Sequence, residues 1–476
     1  MSNDELKSIK AIDCKFAIHV PTRSSDIPDI HLIKELIEYT DGSFGSNLRI
    51  VKDFKRPFWI TKAEDQDHKN KKEWESKDKL IEYSVTQSEL KFKVAKALGK
   101  QWSKDSLKQL SQSPYLYGSD ITSTALLKRQ YQTKYPEANY KSSVAVYDIE
   151  TDVIYGTGSI IVATIVFQNK IFTVATEFFM QGYSTPNYYV DIAFNKYLGE
   201  YKEKLNLEYE FSVVKTPADA VKAIFKKAHE WGPDFIAIWN MDFDIPRTIK
   251  AIEDAGYDPK DVFSDPKIPK PFRRCEYKEG KKKKVTASGK VTPIVPSSQW
   301  HTLYCTSSFY VIDAMCVYKR IRTPPAQEEP SYSLDAILKK ELNITKLKFV
   351  EADAYTGLKW HEFMQSKFKA EYIVYNMFDC LAMLELDTKT KDLSHTFSSY
   401  AGITDFDKFT SNPRRIHDEL DGFCQSKGLV LSSSGSAPQV DVAEIIEDAE
   451  EDDVLESLSL KGWINKNRFY SNLASI

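Results

Sequence analysis

Three short clusters hold residue types and spacings that could do chemistry. The first is Val146-Tyr147-Asp148-Ile149-Glu150-Thr151. Residues i and i+2 of a strand share a face. Asp148 and Glu150 would then project two carboxylates from one side of an apolar segment, which is costly out of water unless cations neutralise them. The second cluster is Trp239-Asn240-Met241-Asp242-Phe243-Asp244-Ile245-Pro246, where an apolar strand gives way to a helix. Reactive groups of α/β proteins gather at such strand ends. The third runs from Tyr372 to Leu381, with Tyr375 and Asp379 one turn apart on one helix face.

Each cluster alone has an ordinary structural reading: a strand end reaching solvent, a helix cap at Asp244, a hydrogen-bonded phenol–carboxylate pair. In order along one chain they form a set. Asp148, Glu150, Asp244 and Asp379 supply four carboxylates, which suit hard divalent cations such as Mg²⁺ or Mn²⁺. Two such ions about 3.5–4 Å apart can activate a water and stabilise the leaving oxygen of a phosphodiester. The Tyr375 hydroxyl could orient that water. The chemistry expected is 3′→5′ exonucleolytic hydrolysis. The histidines are scattered, so a histidine metal site or a Ser-His-Asp triad has little support.

The elements that must position these groups are readable in the middle of the chain. Ser143 to Thr151 reads as a buried strand. Ile160–Phe167 and Ile171–Phe178 read as two more, joined by the polar turn Gln168-Asn169-Lys170 into a meander. Thr216-Pro217-Ala218-Asp219 looks like a helix start, with Val221, Ile224, Phe225 and Ala228 at helical spacing behind it. Phe235 to Trp239 is another apolar strand, and Phe243 to Ala255 another helix. Antiparallel strands followed by helix–strand–helix predict an α/β fold, a mixed sheet flanked by helices. Three segments are expected: a mixed α+β domain over 1–140, the α/β unit over 141–395, and a shorter segment over 396–476 with a Ser-rich link and an acidic tail.

Composition narrows the classes. Hydrophobic residues make up 42% and charged residues 28%, which excludes collagen, coiled coil and general disorder. The six cysteines never form a C-x-x-C pair, so a reducing compartment is expected rather than a disulfide scaffold. No apolar run is long enough for a membrane span, and MSNDELKSIK has no signal-peptide core. A cytoplasmic protein with no membrane partner is expected. The formal net charge is only −3, yet charge is segregated. Lysines crowd residues 52–110 and the stretch Lys278 to Lys290, whereas Asp441 to Leu460 carries nine acidic residues and no basic one. Two basic zones beside one candidate site suit a groove that tracks phosphates. The acidic stretch reads as a weakly amphipathic helix for a partner polypeptide or as a solvated tail.

The pattern Asp148-Ile149-Glu150-Thr151, then Phe243-Asp244, then Tyr375 with Asp379 resembles the DEDDy 3′→5′ exonuclease of family B DNA polymerases, particularly phage enzymes of the T-even kind. Further text agrees: Val311-Ile312-Asp313 to Tyr318-Lys319-Arg320, Pro330 to Asp335, Arg56-Pro57-Phe58-Trp59-Ile60 and Tyr117 to Ile121. The resemblance covers roughly residues 1–400. It implies an RNase H-like exonuclease domain after an N-terminal domain of the polymerase type. It also implies two Mg²⁺ on Asp148, Glu150, Asp244 and Asp379, and a water positioned by Tyr375. Asn240 and Phe243 would hold the terminal nucleotide, Lys319 a phosphate, and the Lys278–Lys290 stretch would be a hairpin facing the primer–template junction or a basic loop. The second motif is one residue shorter than the family's, which makes Asp242 an outside candidate for metal binding.

The family's D-x-x-S-L-Y-P and D-T-D polymerase motifs are missing; Arg468 to Ile476 only faintly echoes the first. The expectation is therefore a proofreading exonuclease from a split or truncated viral polymerase. It would act on single-stranded or frayed DNA beside a separate chain with palm, fingers and thumb, in the host cytoplasm. The alternatives are a non-catalytic DNA-binding and assembly subunit, or a freestanding exonuclease.

Overall fold

The strand Val144–Thr151 is the piece on which the middle of the molecule is built. Its alternation sends Ala145, Tyr147 and Ile149 into a core with Val221, Ile224 and Phe225 of the helix Pro217–Trp231. Asp148 and Glu150 fall on the opposite face, as period-two geometry demands. The structure, a computed structural model, describes residues 8–21, 27–100, 105–286, 289–324 and 327–433. The acidic stretch 441–460, most of the Ser-rich link and Arg468 to Ile476 lie outside the described residues.

The described residues divide into two compact units. One comprises 44–48 and 139–399; the other is drawn from 1–43, 49–138 and 400–476. The C-terminal residues that the sequence set apart from 396 onward thus fold, as far as 433, with the N-terminal segment. The physical link is a strand pair: Leu429–Leu431 runs antiparallel to Trp74–Ser76.

In the middle unit an eight-stranded mixed sheet has the order Glu208–Val214, Lys170–Thr176, Ile160–Phe167, Val144–Thr151, Phe235–Ile238, Tyr310–Asp313, Thr302–Cys305, Cys275–Lys278. Lys170–Thr176, Ile160–Phe167 and Val144–Thr151 form the expected antiparallel meander. Phe235–Ile238 pairs parallel with Val144–Thr151, and Tyr310–Asp313 parallel with Phe235–Ile238. Every residue of Ile160–Phe167 is buried, because helices cover both faces of the sheet. Helix Pro217–Trp231 lies on one face and helix Lys369–Thr390 on the other.

The helix Lys369–Thr390 is buried without interruption from Tyr372 to Met383. It packs against the sheet and against the helices Pro186–Leu205, Leu334–Leu342 and Leu358–Lys367. A helix enclosed all round has no polar face to give to water, so each polar residue on it must meet a partner inside.

Some boundaries differ from expectation. The third meander strand ends at Thr176, leaving Phe178 outside it and 45% exposed. The helix expected from Phe243 begins at Met241, because the amides of Phe243 and Asp244 both donate to the Asn240 carbonyl. Pro186–Leu205 and the strand Glu208–Val214, parallel to Lys170–Thr176, had no counterpart in the sequence reading. The basic stretch supplies one strand, Lys283–Val285, of a two-stranded ribbon completed by Val291–Pro293 just after it. Among the described residues no helix is long and apolar enough to cross a membrane.

Candidate metal centre

Asp148 and Glu150 reach the site from the strand, and Asp379 reaches it from helix Lys369–Thr390. One oxygen from each lies within 4.8 Å of the others. Asp244 is 1% exposed and comes from the first turn of helix Met241–Asp254. It stands close enough for its charge to act on Asp148 and for that of Glu150 to act on it. Three of the four carboxylates singled out from the sequence therefore converge, from elements separated by more than two hundred residues of chain, with Asp244 near them but outside that close set.

Side chains that the sequence reading did not assign hold this cluster. Asn376 Nδ2 donates to Asp148 Oδ2 at 2.6 Å. The Tyr372 hydroxyl donates to Glu150 Oε2 at 2.5 Å. Lys346 Nζ donates to Asp379 Oδ2, and to the Tyr375 hydroxyl oxygen at 2.9 Å. Lys346 sits in the loop after helix Leu334–Leu342, pinned by its own amide to Asp335 Oδ1 at 2.8 Å. One signal was available for two of these residues. Tyr372, Tyr375, Asn376 and Asp379 stand at i, i+3, i+4 and i+7, one stripe of a helix. No local pattern marks Lys346.

Burial sets the electrostatics. Desolvation, then the charge of Asp244, then that of Glu150, pushes the Asp148 carboxyl well above its ordinary range. Desolvation and Glu150 do the same to Asp244. Glu150 is pushed up to about 7 by burial, against the pull of the Tyr372 hydrogen bond. Asp379 is raised by burial despite Lys346. Burial disfavours the Lys346 ammonium, but Asp379 and Tyr375 outweigh it and hold the lysine charged.

The residues fit a hard cation. Asp244 Oδ2 and Asp379 Oδ1 are buried with no hydrogen-bond partner among the described residues. Unpartnered buried carboxylate oxygens are costly, and an oxygen-ligated divalent ion removes that cost. The triad Asp148, Glu150 and Asp379 could hold such an ion.

The remaining sequence candidates have other surroundings. Asn240 is an exposed helix cap whose side chain makes no capping hydrogen bond. Phe243 is half-buried, with the Arg247 guanidinium 3.7 Å over its ring. Lys319 pairs with Glu328 at 2.8 Å and is largely covered. Asp242 turns to Lys282, 3.2 Å away, and to the Tyr277 hydroxyl at 3.4 Å. Residues two apart on a helix point about 200° from each other, which explains why Asp242 and Asp244 have different company. No protein-family model and no curated protein matches this chain.

Proposed function

We propose that the middle unit is a 3′→5′ exonuclease domain of RNase H-like topology. It would hydrolyse the terminal phosphodiester of single-stranded or frayed DNA. The observation that carries the reading is that Asp148, Glu150 and Asp379 bring oxygens within 4.8 Å of one another, with Asp244 buried nearby and Lys346 paired with Asp379. Nothing in packing requires that arrangement, and its cost makes sense where a cation is to be bound. The strand order supports the topology: three antiparallel strands, then two that run parallel to the first.

Asp148, Glu150, Asp244 and Asp379 would hold two Mg²⁺ or Mn²⁺ ions. Ions bound there would activate a water and stabilise the departing 3′ oxygen. Tyr375, which accepts from Lys346, would orient that water. Water adds to phosphorus, the bond to the 3′ oxygen breaks, and that oxygen leaves with a proton. Phe243 and Asn240, on the turn that carries Asp244, would meet the terminal nucleotide. Lys319 reaches a phosphate only by giving up Glu328.

The test uses 5′-labelled single-stranded and 3′-recessed DNA, with Mg²⁺ or EDTA. A ladder shortening from the 3′ end, faster on single strands and absent in EDTA, is expected. Intact DNA in both Mg²⁺ and Mn²⁺ would sink the proposal.

A further inference from the structure

The contact between Tyr372 and Glu150 has a fixed direction, set outside the cluster. Gln365, 1% exposed on helix Leu358–Lys367, is oriented by backbone. Its Oε1 accepts from the Val153 amide at 3.1 Å and its Nε2 donates to the Thr151 carbonyl at 2.8 Å. The amide cannot flip without losing both bonds. The second Nε2 hydrogen then reaches the Tyr372 hydroxyl oxygen at 3.2 Å. His361 Nδ1 lies 2.7 Å from the same oxygen. A tyrosine hydroxyl has one proton, and here it goes to Glu150 Oε2. With Glu150 ionised, the Tyr372 oxygen is left to accept from His361, whose proton is then on Nδ1.

All the donors point one way, from Gln365 and His361 to Tyr372, and from Tyr372 to Glu150. Gln365 also grips the backbone on both sides of Asp152, directly after the carboxylate that the relay serves. The ring of Tyr372 is fully buried, parallel to Tyr375 at 6.0 Å and tilted against Phe179 at 6.2 Å. The hydroxyl has no freedom to swing away.

We infer that Tyr372 is a positioning residue for the cation site: this relay holds the Glu150 carboxylate oxygen Oε2 in ligating orientation. Tyr375 faces Lys346 and Asp379 on the other side of the cluster, so the two tyrosines serve different carboxylates. The inference rests on the cation site and not on which bond the site cuts.

Mn²⁺ affinity of the full chain, read from the free-ion paramagnetic resonance signal, tests it directly. Tyr372→Phe keeps the ring and removes the hydroxyl. It should weaken Mn²⁺ binding roughly 10-fold or more, the usual reach of an outer hydrogen bond to a ligand, and saturating Mn²⁺ should restore cleavage. In a Glu150→Gln background the same change should weaken binding no further, because the partner is gone. His361→Ala, at a half-buried position, should act in the same direction more weakly. Unchanged Mn²⁺ affinity in Tyr372→Phe would overturn the inference. So would an equal loss in the Glu150→Gln background, which marks a general packing role. A wild-type chain that takes up no Mn²⁺ removes the inference with the site, whereas one that binds Mn²⁺ and cuts nothing removes only the nuclease reading.

Discussion

In the N-terminal unit, Asp418 and Asp421 are buried as deeply as any carboxylate of the candidate site, yet each meets a guanidinium. Asp421 Oδ2 accepts from Arg129 Nη1 at 2.8 Å and from Gln425 Nε2 at 2.7 Å. Asp418 Oδ1 lies 2.9 Å from Arg414 Nη2, and its Oδ2 accepts from Thr404 Oγ1 at 2.8 Å. Arg129 donates from its other terminal nitrogen to the Asp418 carbonyl, and Arg414 donates from the same Nη2 to the Asp120 carbonyl. In the middle unit Lys346 pairs directly with Asp379 alone of the four carboxylates, and in both regions two carboxylate oxygens meet no hydrogen-bond partner among the described residues, so the regions differ in charge balance. Both regions are buried and ionic. Near balance of charge makes the first a structural knot. Imbalance makes the second a site, because the missing positive charge has to come from outside the chain.

The largest expected effect breaks the comparison at the unbalanced end. Asp148→Ala should cut DNA cleavage on the order of 10³-fold, with unfolding of the cation-free chain unchanged or shifted to higher temperature, since one repulsive charge is gone. Cleavage rate and thermal midpoint measured on one preparation check both halves.

The balanced cluster should respond in the opposite way. Arg129→Met leaves Asp421 buried without its guanidinium and should cost about 3–5 kcal/mol, seen as a lower urea midpoint, while Mn²⁺ affinity stays at the wild-type value. A loss of Mn²⁺ binding in that variant would mean that the two clusters are not independent.

Acidity sharpens the contrast further. Glu150 ionises at about 7 in the folded chain, and Asp148, Asp244 and Asp379 are also raised. A raised carboxyl means that the folded state binds more protons than the unfolded one. Its contribution is complete below the ordinary carboxylate pKa and is lost as pH rises through the folded value. Without cations the chain should therefore lose stability between about pH 5 and 8, on the order of 3 kcal/mol for Glu150 alone. Thermal melts in EDTA should fall across that window, and melts in Mn²⁺ should flatten or reverse the slope.

The smallest effect calibrates the rest. Thr216 Oγ1 accepts from the Asp219 amide at 3.1 Å and caps helix Pro217–Trp231. Thr216→Ala should cost about 1 kcal/mol, measured by urea unfolding, at any pH in that window and with or without Mn²⁺. A pH-dependent cost would mean that the cap senses the carboxylate cluster.

Much of this was legible in residues. The parity of Val144–Thr151 placed Asp148 and Glu150 on one face before any fold was known, because a strand allows nothing else. The meander followed from two apolar runs and a polar turn, and the start of the helix at Pro217 from Thr216 and Asp219. Tyr375 and Asp379 were legible as neighbours because four residues make one helical turn. Less visible was Pro186–Leu205, whose tyrosines and lysines give weak periodicity. Tyr372 and Asn376 stood in plain view on the Asp379 stripe, but a helix stripe does not say which polar residue is a ligand and which is a support.

By itself the sequence determined the local geometry: which side chains share a face, where helices begin, and that four carboxylates exist at strand and helix positions able to meet. Only the tertiary structure decided what they meet. Lys346 comes from a loop 33 residues before Asp379, and Gln365 reaches Tyr372 while gripping backbone more than two hundred residues earlier. Such partners are chosen by packing across the sheet, which local periodicity does not encode. Desolvation is likewise a property of everything packed around a group, so the raised carboxyls and the oxygens left without partners arise only when strand and helix close on one another.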